Sequence, residues 1–399
     1  MTIALMPVTS TAHDRQHTKR HASSLEVAAL AGLERPVFCI SQASLKAQAA
    51  VFLDGFPGEV SYAVKANSSD EVIAALHDAG IQVFDVASTV EMAAVTKLCG
   101  KVEFHYHNPV KSRAEIATAW HTFGCRRFAA DCAEEIAKIA QVAGPASGAE
   151  IAIRFRLTSA RASVHDFTSK FGVDEAEAAR LMRLAVDYGF VPVLTFHPGS
   201  QCTEPEAWTR HIEAAARIAK HSGVRVSRLN VGGGFPSRYA GSRGPALASF
   251  FDTIKAAVES AFDGTPPALE CEPGRALCAG SVSLLTRVKL VRSQTGDVFL
   301  NDGLYGGLME VCQAPSLMPF YRVIRDGRIL ETASADFTVY GPTCDPLDVL
   351  PGKLRLPADI QEDDVIEFGG IGAYGTATAT RFNGYGAFDI LVTDSVFVS

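Results

Sequence analysis

The sequence predicts an α/β protein in which a (β/α)8 barrel of the TIM type is followed by a mainly β domain. Eight short apolar runs alternate with amphipathic helical segments over about 215 residues, as such a barrel requires. Beyond about residue 275 the helical periodicity stops, and short β-type runs separated by turns follow. A doubly wound open sheet is the competing fold, but it predicts fewer strands and an early GxGxxG motif, which is missing.

The barrel is expected to span residues 43–273. Its eight strands are predicted from apolar runs at 60–66, 81–87, 102–107, 126–131, 150–157, 190–197, 224–231 and 268–272. Helical patterns lie between these runs, and several end in glycine, which is common at helix C-termini. In the first unit, Ser68 and Glu71 have the spacing of a capping box, which predicts that a helix begins there.

The mainly β domain is expected to combine residues 274–399 with residues 25–42. The early run at 35–41 is strand-like, and Asp326-Gly327 lies between two apolar runs as a hairpin turn would. Residues 1–24 lack a sustained apolar segment, so we expect a disordered tail rather than a secretory signal.

The composition limits the classes of function. Hydrophobic residues make up 47% of the 399 residues, which is enough for a large core, and the net charge of −7 argues against a nucleic-acid or anionic-membrane surface. No apolar run approaches the roughly 18 residues needed to span a bilayer. The nine cysteines show no metal-binding spacing, so we expect reduced thiols, no metal and a cytoplasmic location.

Polar side chains follow the apolar runs at the strand ends, where a barrel of this type keeps its active site. Lys65 is the most unusual, because an unpaired ammonium at the end of a buried strand would cost several kcal/mol. Other strands end in a similar way, with Asp85, His105 or His107, Arg154, His197 and Glu272. A single strand-end lysine is more often a surface residue, and a single histidine is more often structural. Their coincidence at one rim favours an active site.

The glycine-rich segment NVGGGFP, residues 230–236, predicts an anion site. Three consecutive glycines, Gly233 and Gly234 among them, let backbone N–H groups approach an anion closely. Ser200 of HPGSQ lies on a neighbouring loop and could donate to the same anion. A flexible turn is the alternative interpretation.

A lysine together with a phosphate site indicates a cofactor that carries both an aldehyde and a phosphate, which is pyridoxal 5′-phosphate. Lys65 would be held as an imine, so the resting site would contain no buried ammonium. Glu272 of EPGR could pair with the pyridine nitrogen, and His197 could stack on the ring. A structural ion pair between Glu272 and Arg275 is the alternative.

The chain resembles the pyridoxal-phosphate-dependent, barrel-type (fold type III) basic amino acid decarboxylases, and within them most nearly the ornithine decarboxylases. The matching motifs are YAVKAN, FDVAS, HPGSQ, VGGGFP, EPGR, YGPTCDPLD, GAYG and RFNGY. They occur in family order from about residue 36 to residue 390, so nearly the whole chain is covered.

The resemblance implies a role for each matching residue. The expected catalytic residues are Lys65, which would form the internal Schiff base, and His197, Glu272 and Cys344. Cofactor contacts are implied for Lys65, Asp85, Arg154, His197, Ser200, Gly233, Gly234, Glu272, Gly274, Arg275 and Tyr374, with Glu91 helping to position the site. Cys344 would protonate the substrate carbon after carbon dioxide leaves, and Asp345 would bind the distal amine, with Tyr374 also near the substrate. Cys344 and Asp345 would reach into the neighbouring subunit, so a homodimer with shared active sites is implied.

One segment departs from the family pattern. Eukaryotic ornithine decarboxylases carry a Tyr-Asp pair after NDGxYG, whose aspartate is a second partner for the distal amine, and Gln313 and Ala314 stand there in this chain. Glu310 is the candidate substitute. Ornithine, converted to putrescine, remains the first expectation, and lysine, diaminopimelate or an unusual amino acid are the alternatives. Diaminopimelate decarboxylases usually carry a glutamate where this chain has Asp345, which favours a simple basic substrate.

Two other functions would use part of the same residue set. An amino acid racemase of the same barrel class would also use Lys65, but such enzymes usually place an arginine, not an acid such as Glu272, at the pyridine nitrogen. A regulatory binding homologue without activity would not need Lys65, Glu272 and Cys344 together.

Overall fold

The computed structural model describes residues 20–30, 33–157, 169–241, 244–262 and 264–398. Within these ranges the chain forms a closed barrel of eight strands and a separate ten-stranded sheet. The expected fold class, a (β/α)8 barrel with a mainly β domain, is therefore confirmed.

Strands and helices alternate through the barrel and give way to strands after it. The strands are β1 (His21–Ser23), β2 (Val37–Ser41), β3 (Glu59–Ala63), β4 (Val83–Val86), β5 (Glu103–Tyr106), β6 (Arg127–Ala130), β7 (Glu150–Arg154), β8 (Val191–Thr195), β9 (Arg228–Asn230), β10 (Ala268–Cys271), β11 (Val282–Arg292), β12 (Asp297–Leu300), β13 (Phe320–Arg325), β14 (Arg328–Ile329), β15 (Ser334–Tyr340), β16 (Leu354–Pro357), β17 (Val365–Gly369) and β18 (Asp389–Ser395). The helices are α1 (Ser24–Ala28), α2 (Gln42–Gly55), α3 (Asp70–Asp78), α4 (Thr89–Cys99), α5 (Arg113–His121), α6 (Ala133–Ala143), α7 (Glu175–Asp187), α8 (Glu206–Ser222), α9 (Leu247–Ala261), α10 (Arg275–Cys278) and α11 (Met309–Gln313). None of the helices in the described ranges combines the length and the apolar character needed to cross a membrane.

The barrel closes because β10 pairs with β3, and every neighbouring pair of its strands is parallel. Side chains alternate between the two faces of each strand. On β6, Phe128 packs into the large helix-facing core, whereas Ala129 belongs to a small apolar cluster with Ala152 of β7 and Val193 of β8. Because the strands are parallel, their carboxyl ends all open at one rim of the barrel.

A charged layer occupies the barrel interior at the opposite end. Arg127 and Arg228 both form ion pairs with the same three carboxylates, those of Glu59, Glu150 and Glu270. His105 is fully buried in this layer, with its Nε2 3.6 Å from Glu59. Of the two candidate histidines, His105 on β5 is therefore part of a structural network.

The first helix of the barrel begins one residue later than the sequence predicts. Ser69 is the N-cap of α3, so the predicted capping box of Ser68 and Glu71 is wrong. The side chain of Asn67 explains the shift, because its Oδ1 accepts hydrogen bonds from both the backbone N–H and the hydroxyl of Ser69. The hydroxyl is thus occupied and makes no capping bond to the helix.

The ten-stranded sheet includes segments from both ends of the chain. Strand β2 pairs with β11 and β18, as expected for the run at 35–41. Strand β1 also pairs with β18, so the expected tail of residues 1–24 contains a strand from His21 onward; residues 1–19 lie outside the described residues. Asp326 and Gly327 join β13 to β14 with φ of 51° and 72°, which confirms the predicted hairpin turn.

Two hydrogen bonds tie the turn after β3 to the segment between β17 and β18. The N–H of Tyr374 donates to the carbonyl of Ala66 at 2.7 Å, and the amide of Asn67 donates to the carbonyl of Gly372 at 2.8 Å. Tyr374 has a φ of 61°, in the left-handed region that is uncommon for a residue other than glycine. The barrel turn that carries Lys65 is therefore bound directly to the other domain.

Candidate active site

A cavity of about 300 Å³ opens at the carboxyl ends of the barrel strands, at the lower end of the size range of small-molecule sites. The structure brings together there all the residues expected to contact the cofactor: Lys65, Asp85, Arg154, His197, Ser200, Gly233, Gly234, Glu272, Gly274, Arg275 and Tyr374. In the described part of the chain, four other expected residues are not among its lining, namely Glu91, Glu310, Cys344 and Asp345.

Lys65 lies in a short 3-10 turn directly after β3 and faces the cavity, which leaves 47% of its side chain accessible. Its Nζ is 2.8 Å from Oδ2 of Asp85, which is almost completely buried at the end of β4. Burial lowers the pKa of the Lys65 ammonium, but the facing Asp85 carboxylate outweighs burial and holds the pKa above its ordinary value. Glu91 supports the next turn, because its Oε2 accepts the N–H of Ala87 at 2.6 Å.

Glu272 lies across the cavity, in the segment after β10, and is bound by residues of two other strands. Its Oε1 is hydrogen-bonded to Nδ1 of His107, which directly follows β5, and to the side-chain amide of Asn230 on β9. Burial raises the pKa of Glu272, but His107 and Lys65 outweigh it and hold the pKa below its ordinary range. Glu272 is therefore an ionised carboxylate held in one orientation.

The glycine-rich segment brings backbone groups close to the cavity. Gly234 has a φ of 90°, and a Cβ there would lie 2.2 Å from the carbonyl oxygen of Gly199; a Cβ on Gly233 would lie 2.6 Å from the carbonyl oxygen of Glu272. Only glycine fits both positions. Among the described residues, the N–H groups of Gly233 and Gly234 have no hydrogen-bond acceptor, so both are available to an anion.

Arg275 does not pair with Glu272, so the alternative ion pair considered from the sequence is not formed. Its guanidinium binds both carboxylate oxygens of Glu310 and donates to the hydroxyl of Tyr239 at 2.6 Å. The buried Nε of Arg275 has no partner among the described residues. Glu310, the candidate substitute for the family's second amine-binding aspartate, is thus engaged by Arg275.

His197 is held as a neutral ring. Its Nδ1 accepts the N–H of Gly199 at 3.0 Å, which leaves the proton on Nε2. Burial, together with the positive charges of Arg154 and Lys65, lowers the pKa of His197 to about 3. An uncharged ring at the cavity wall is suited to stack on an aromatic ligand.

Cys344 and Asp345 lie on an exposed loop after β15. The Sγ of Cys344 is 3.2 Å from Oδ1 of Asn383, which also accepts the Cys344 N–H at 3.1 Å. Asp345 accepts a hydrogen bond from the Tyr305 hydroxyl at 2.6 Å, and this bond lowers the pKa of Asp345.

Asp348, which is buried, fixes that loop against the segment after β12. Its Oδ1 accepts the N–H of Leu304 at 2.8 Å, and its Oδ2 accepts the N–H and the hydroxyl of Thr343 at 3.0 and 2.7 Å. One carboxylate thus sets the distance between the segments that carry Tyr305 and Asp345.

The site combines a lysine, an opposing carboxylate and a set of free anion donors, and residues 42–279 match the family model described as the pyridoxal-dependent decarboxylase, pyridoxal binding domain. The chain belongs to the pyridoxal-dependent decarboxylases. The expected family, and with it the class of enzyme and the cofactor, is confirmed by this match.

Relatives of this decarboxylase cover most of its length. A lysine/ornithine decarboxylase from Selenomonas ruminantium is 31% identical over 333 residues, which are 82% of this chain and 81% of the relative. An ornithine decarboxylase from Panagrellus redivivus is 31% identical over 358 residues, which are 81% of this chain and 77% of the relative. The crystal structure of a lysine decarboxylase from Selenomonas ruminantium is similar with a TM-score of 0.80 and 28% identity, over 92% of this chain and 94% of that one.

The residues of this decarboxylase fit pyridoxal 5′-phosphate, which has an aldehyde, a ring nitrogen and a phosphate. Lys65 would be the amine for the aldehyde, and Glu272 would be the carboxylate for the ring nitrogen. The free N–H groups of Gly233 and Gly234 and the unpartnered Nε of Arg275 would be donors for the phosphate.

The sequence did not indicate which side chains bind Glu272. His107 is 165 residues from Glu272 along the chain, and Asn230 is 42 residues from it. Only the strand order of the barrel brings the three together. His107 is a candidate from the sequence because it follows an apolar run, but no local pattern indicates that its partner is Glu272.

Replacing Asp302 with asparagine is expected to change how the stability of this decarboxylase depends on pH. Asp302 is buried after β12, and burial raises its pKa to about 7, whereas an unfolded aspartate titrates near 3.9. Between these values the folded state holds a proton that the unfolded chain has lost. The free energy of unfolding therefore falls with rising pH, by about 1.4 kcal/mol per pH unit from this group.

Asp302→Asn removes this slope, so its stability relative to the wild type should rise between pH 5 and pH 7. Urea unfolding at both pH values measures the difference. Asp252→Asn, on the exposed face of α9, is the control and should show no change. A stability difference for Asp302→Asn that is equal at both pH values would show that Asp302 titrates normally.

Proposed function

We propose that the protein decarboxylates a basic L-amino acid, with ornithine, converted to putrescine, as the first candidate. The observation that carries the proposal is that Lys65, paired with Asp85, shares one cavity with Glu272 and with the free donors of Gly233 and Gly234. When bound, pyridoxal 5′-phosphate supplies the electron sink for the bond to the leaving carboxylate. The chain's own residues bind and orient the reactants.

Each group in the cavity has a distinct task in this proposal. Ser200, Gly234, Gly274 and Arg275 would bind the phosphate and fix the position of the ring, and neutral His197 would stack on it. Glu272, which stays ionised, would hold a proton at the ring nitrogen. Lys65 would hold the aldehyde carbon. Orienting the substrate bond that breaks would be the main catalytic contribution of these residues.

The substrate's distal amine has a candidate partner in Asp345. The Tyr305 hydroxyl orients its carboxylate, and Asp348 holds both segments together. Gln313 and Ala314 supply no second carboxylate, and Glu310 is engaged by Arg275. We therefore infer that Asp345 is the one acid that binds the distal amine. Because one acid selects less strictly than two, lysine, diaminopimelate or an unusual amino acid are alternatives to ornithine.

We further propose that two chains form a homodimer with shared active sites. Cys344 is exposed and Asp345 is half-buried, and neither lines the cavity of its own chain. A second subunit could bring both into that cavity, where Cys344 would protonate the substrate carbon. Sedimentation of the protein should then give a mass of twice 42.5 kDa.

A panel of amino acids tests the substrate. Purified protein loaded with cofactor is incubated with L- and D-ornithine, L-lysine, L-arginine and meso-diaminopimelate, and carbon dioxide and amine are measured. Release of both from L-ornithine at the highest kcat/KM supports the first candidate, and a higher value with another L-amino acid replaces it. Interconversion of enantiomers without gas would indicate a racemase, and neither reaction would indicate a binding homologue.

Cys344→Ala is expected to separate carbon dioxide release from amine formation. Without the thiol, the substrate carbon would be protonated less efficiently. Part of the protons would then be added at the cofactor's aldehyde carbon, and hydrolysis by water would release an aldehyde and leave the amino group on the cofactor. The ratio of amine to carbon dioxide, expected to be equimolar for the wild type, should fall. Cys312→Ala, at the other exposed cysteine, is the matched control. An equimolar yield from Cys344→Ala would contradict the proposed role.

A further inference from the structure

We infer that His107 is a positioning residue which, together with Asn230, binds one oxygen of Glu272 and leaves the other oxygen to the ring nitrogen of the cofactor. The inference rests on the proposed function, because it assigns the partner of Glu272 within that site. It concerns a residue that neither the motifs nor the glycine-rich segment includes.

The hydrogen bonds to Glu272 are unequal. Nδ1 of His107 and the side-chain amide nitrogen of Asn230 both bond to Oε1. Oε2 makes no hydrogen bond to any described residue, although Glu272 lines the cavity. A carboxylate that is tied at one oxygen offers the other in a fixed direction.

The orientation of Asn230 is itself determined by the structure. Its Oδ1 accepts the N–H of Gly232 at 2.8 Å, so its Nδ2 must face Glu272. Gly232 begins the glycine triplet, and the Glu272 N–H in turn donates to the Gly232 carbonyl at 2.9 Å. The ring-nitrogen end and the phosphate end of the site are therefore joined through Gly232 and Asn230.

The proton on His107 is placed by the same contacts. Nδ1 faces the carboxylate Oε1, so Nδ1 is the nitrogen that carries the proton. Besides Glu272, the charged groups that act on His107 are Asp85 and Glu270; burial lowers its pKa, and these three carboxylates outweigh it and raise the pKa. The charges of Lys65 and His105 also lower the pKa of Glu272. The bond from Nδ1 persists whether or not Nε2 is protonated.

The role can be tested with a pair of ligands that differ only at the ring nitrogen. Dissociation constants of the apoprotein are measured for pyridoxal 5′-phosphate and for its 1-deaza analogue, in which carbon replaces the nitrogen. His107→Leu should weaken binding of pyridoxal 5′-phosphate about tenfold, the usual effect of losing a hydrogen bond to a charged group, and leave the affinity for the deaza analogue unchanged. His107→Asn, which keeps a donor near the position of Nδ1, should restore most of the loss.

The control is His121→Leu, on the exposed end of α5, which should bind both ligands as the wild type does. Equal weakening of both ligands by His107→Leu would show that His107 only supports the barrel, and no weakening of either would also overturn the inference. If the wild type forms no borohydride-reducible adduct at Lys65 with either ligand, the proposed function itself fails.

A measurement on the wild type covers the case in which His107→Leu does not fold. In protein labelled with ¹⁵N-histidine, the Nδ1 resonance of His107, assigned by its absence in His107→Asn, should shift when pyridoxal 5′-phosphate binds and stay in place with the deaza analogue. The same shift with both ligands would contradict the inference.

Discussion

Lys65→Ala is expected to reduce carbon dioxide release from every substrate below detection. Lys65 lines the cavity together with Glu272, and in the proposed mechanism its removal would take away both the covalent anchor of the cofactor and the group that returns to release the product. The substitution also leaves the buried Asp85 without its cation, so the apoprotein should be less stable. Activity is measured by gas release, and the adduct by mass spectrometry of the Lys65 peptide after borohydride reduction.

Lys97→Ala, at an exposed position on α4, is the matched control for loss of a lysine and should leave both readouts unchanged. Thermal unfolding of apo Lys65→Ala shows whether the variant folds. A folded Lys65→Ala protein that still decarboxylates, or a wild-type adduct on a different lysine, would refute the assignment of Lys65.

Glu272→Gln is expected to lower kcat by about 10²–10³, the usual cost of removing one preorganised electrostatic partner in an active site. The amide keeps the shape of the side chain but removes the negative charge that would hold a proton at the ring nitrogen in the proposed mechanism. His107 would also lose the carboxylate charge that it faces, whereas Lys65 would keep its ion pair with Asp85. Steady-state kinetics and the absorbance of the bound cofactor measure the two effects.

Glu259→Gln, on the exposed side of α9, is the control for this charge change. A lower kcat with an unchanged cofactor spectrum would assign Glu272 to the substrate rather than to the ring. An unchanged kcat would remove Glu272 from the mechanism.

The barrel could be predicted because its signals are local. Parallel strands that are covered on both faces appear as continuous apolar runs, and the eight runs correspond to β3 through β10. The hairpin turn at Asp326-Gly327 was equally predictable, because only a few residues can adopt its two positive φ angles.

Contacts between distant segments could not be predicted in the same way. Arg275 and Glu272 are three residues apart and suggested an ion pair, yet Arg275 binds Glu310, 35 residues away. The helix begins at a different residue for another reason, because the Ser69 hydroxyl donates to the side chain of Asn67. In each case a contact that the sequence pattern does not show decides the structure.

The two hydrogen bonds between the turn of Lys65 and the β domain have a consequence for how the molecule responds to its ligand. Lys65 belongs to the barrel, but its turn is also held by the β domain, because Tyr374 donates to Ala66 and Asn67 donates to Gly372. An isolated barrel would therefore lack these two hydrogen bonds to the turn of Lys65. We expect a cofactor bound at Lys65 to stabilise both domains, so that they unfold in a single transition on heating.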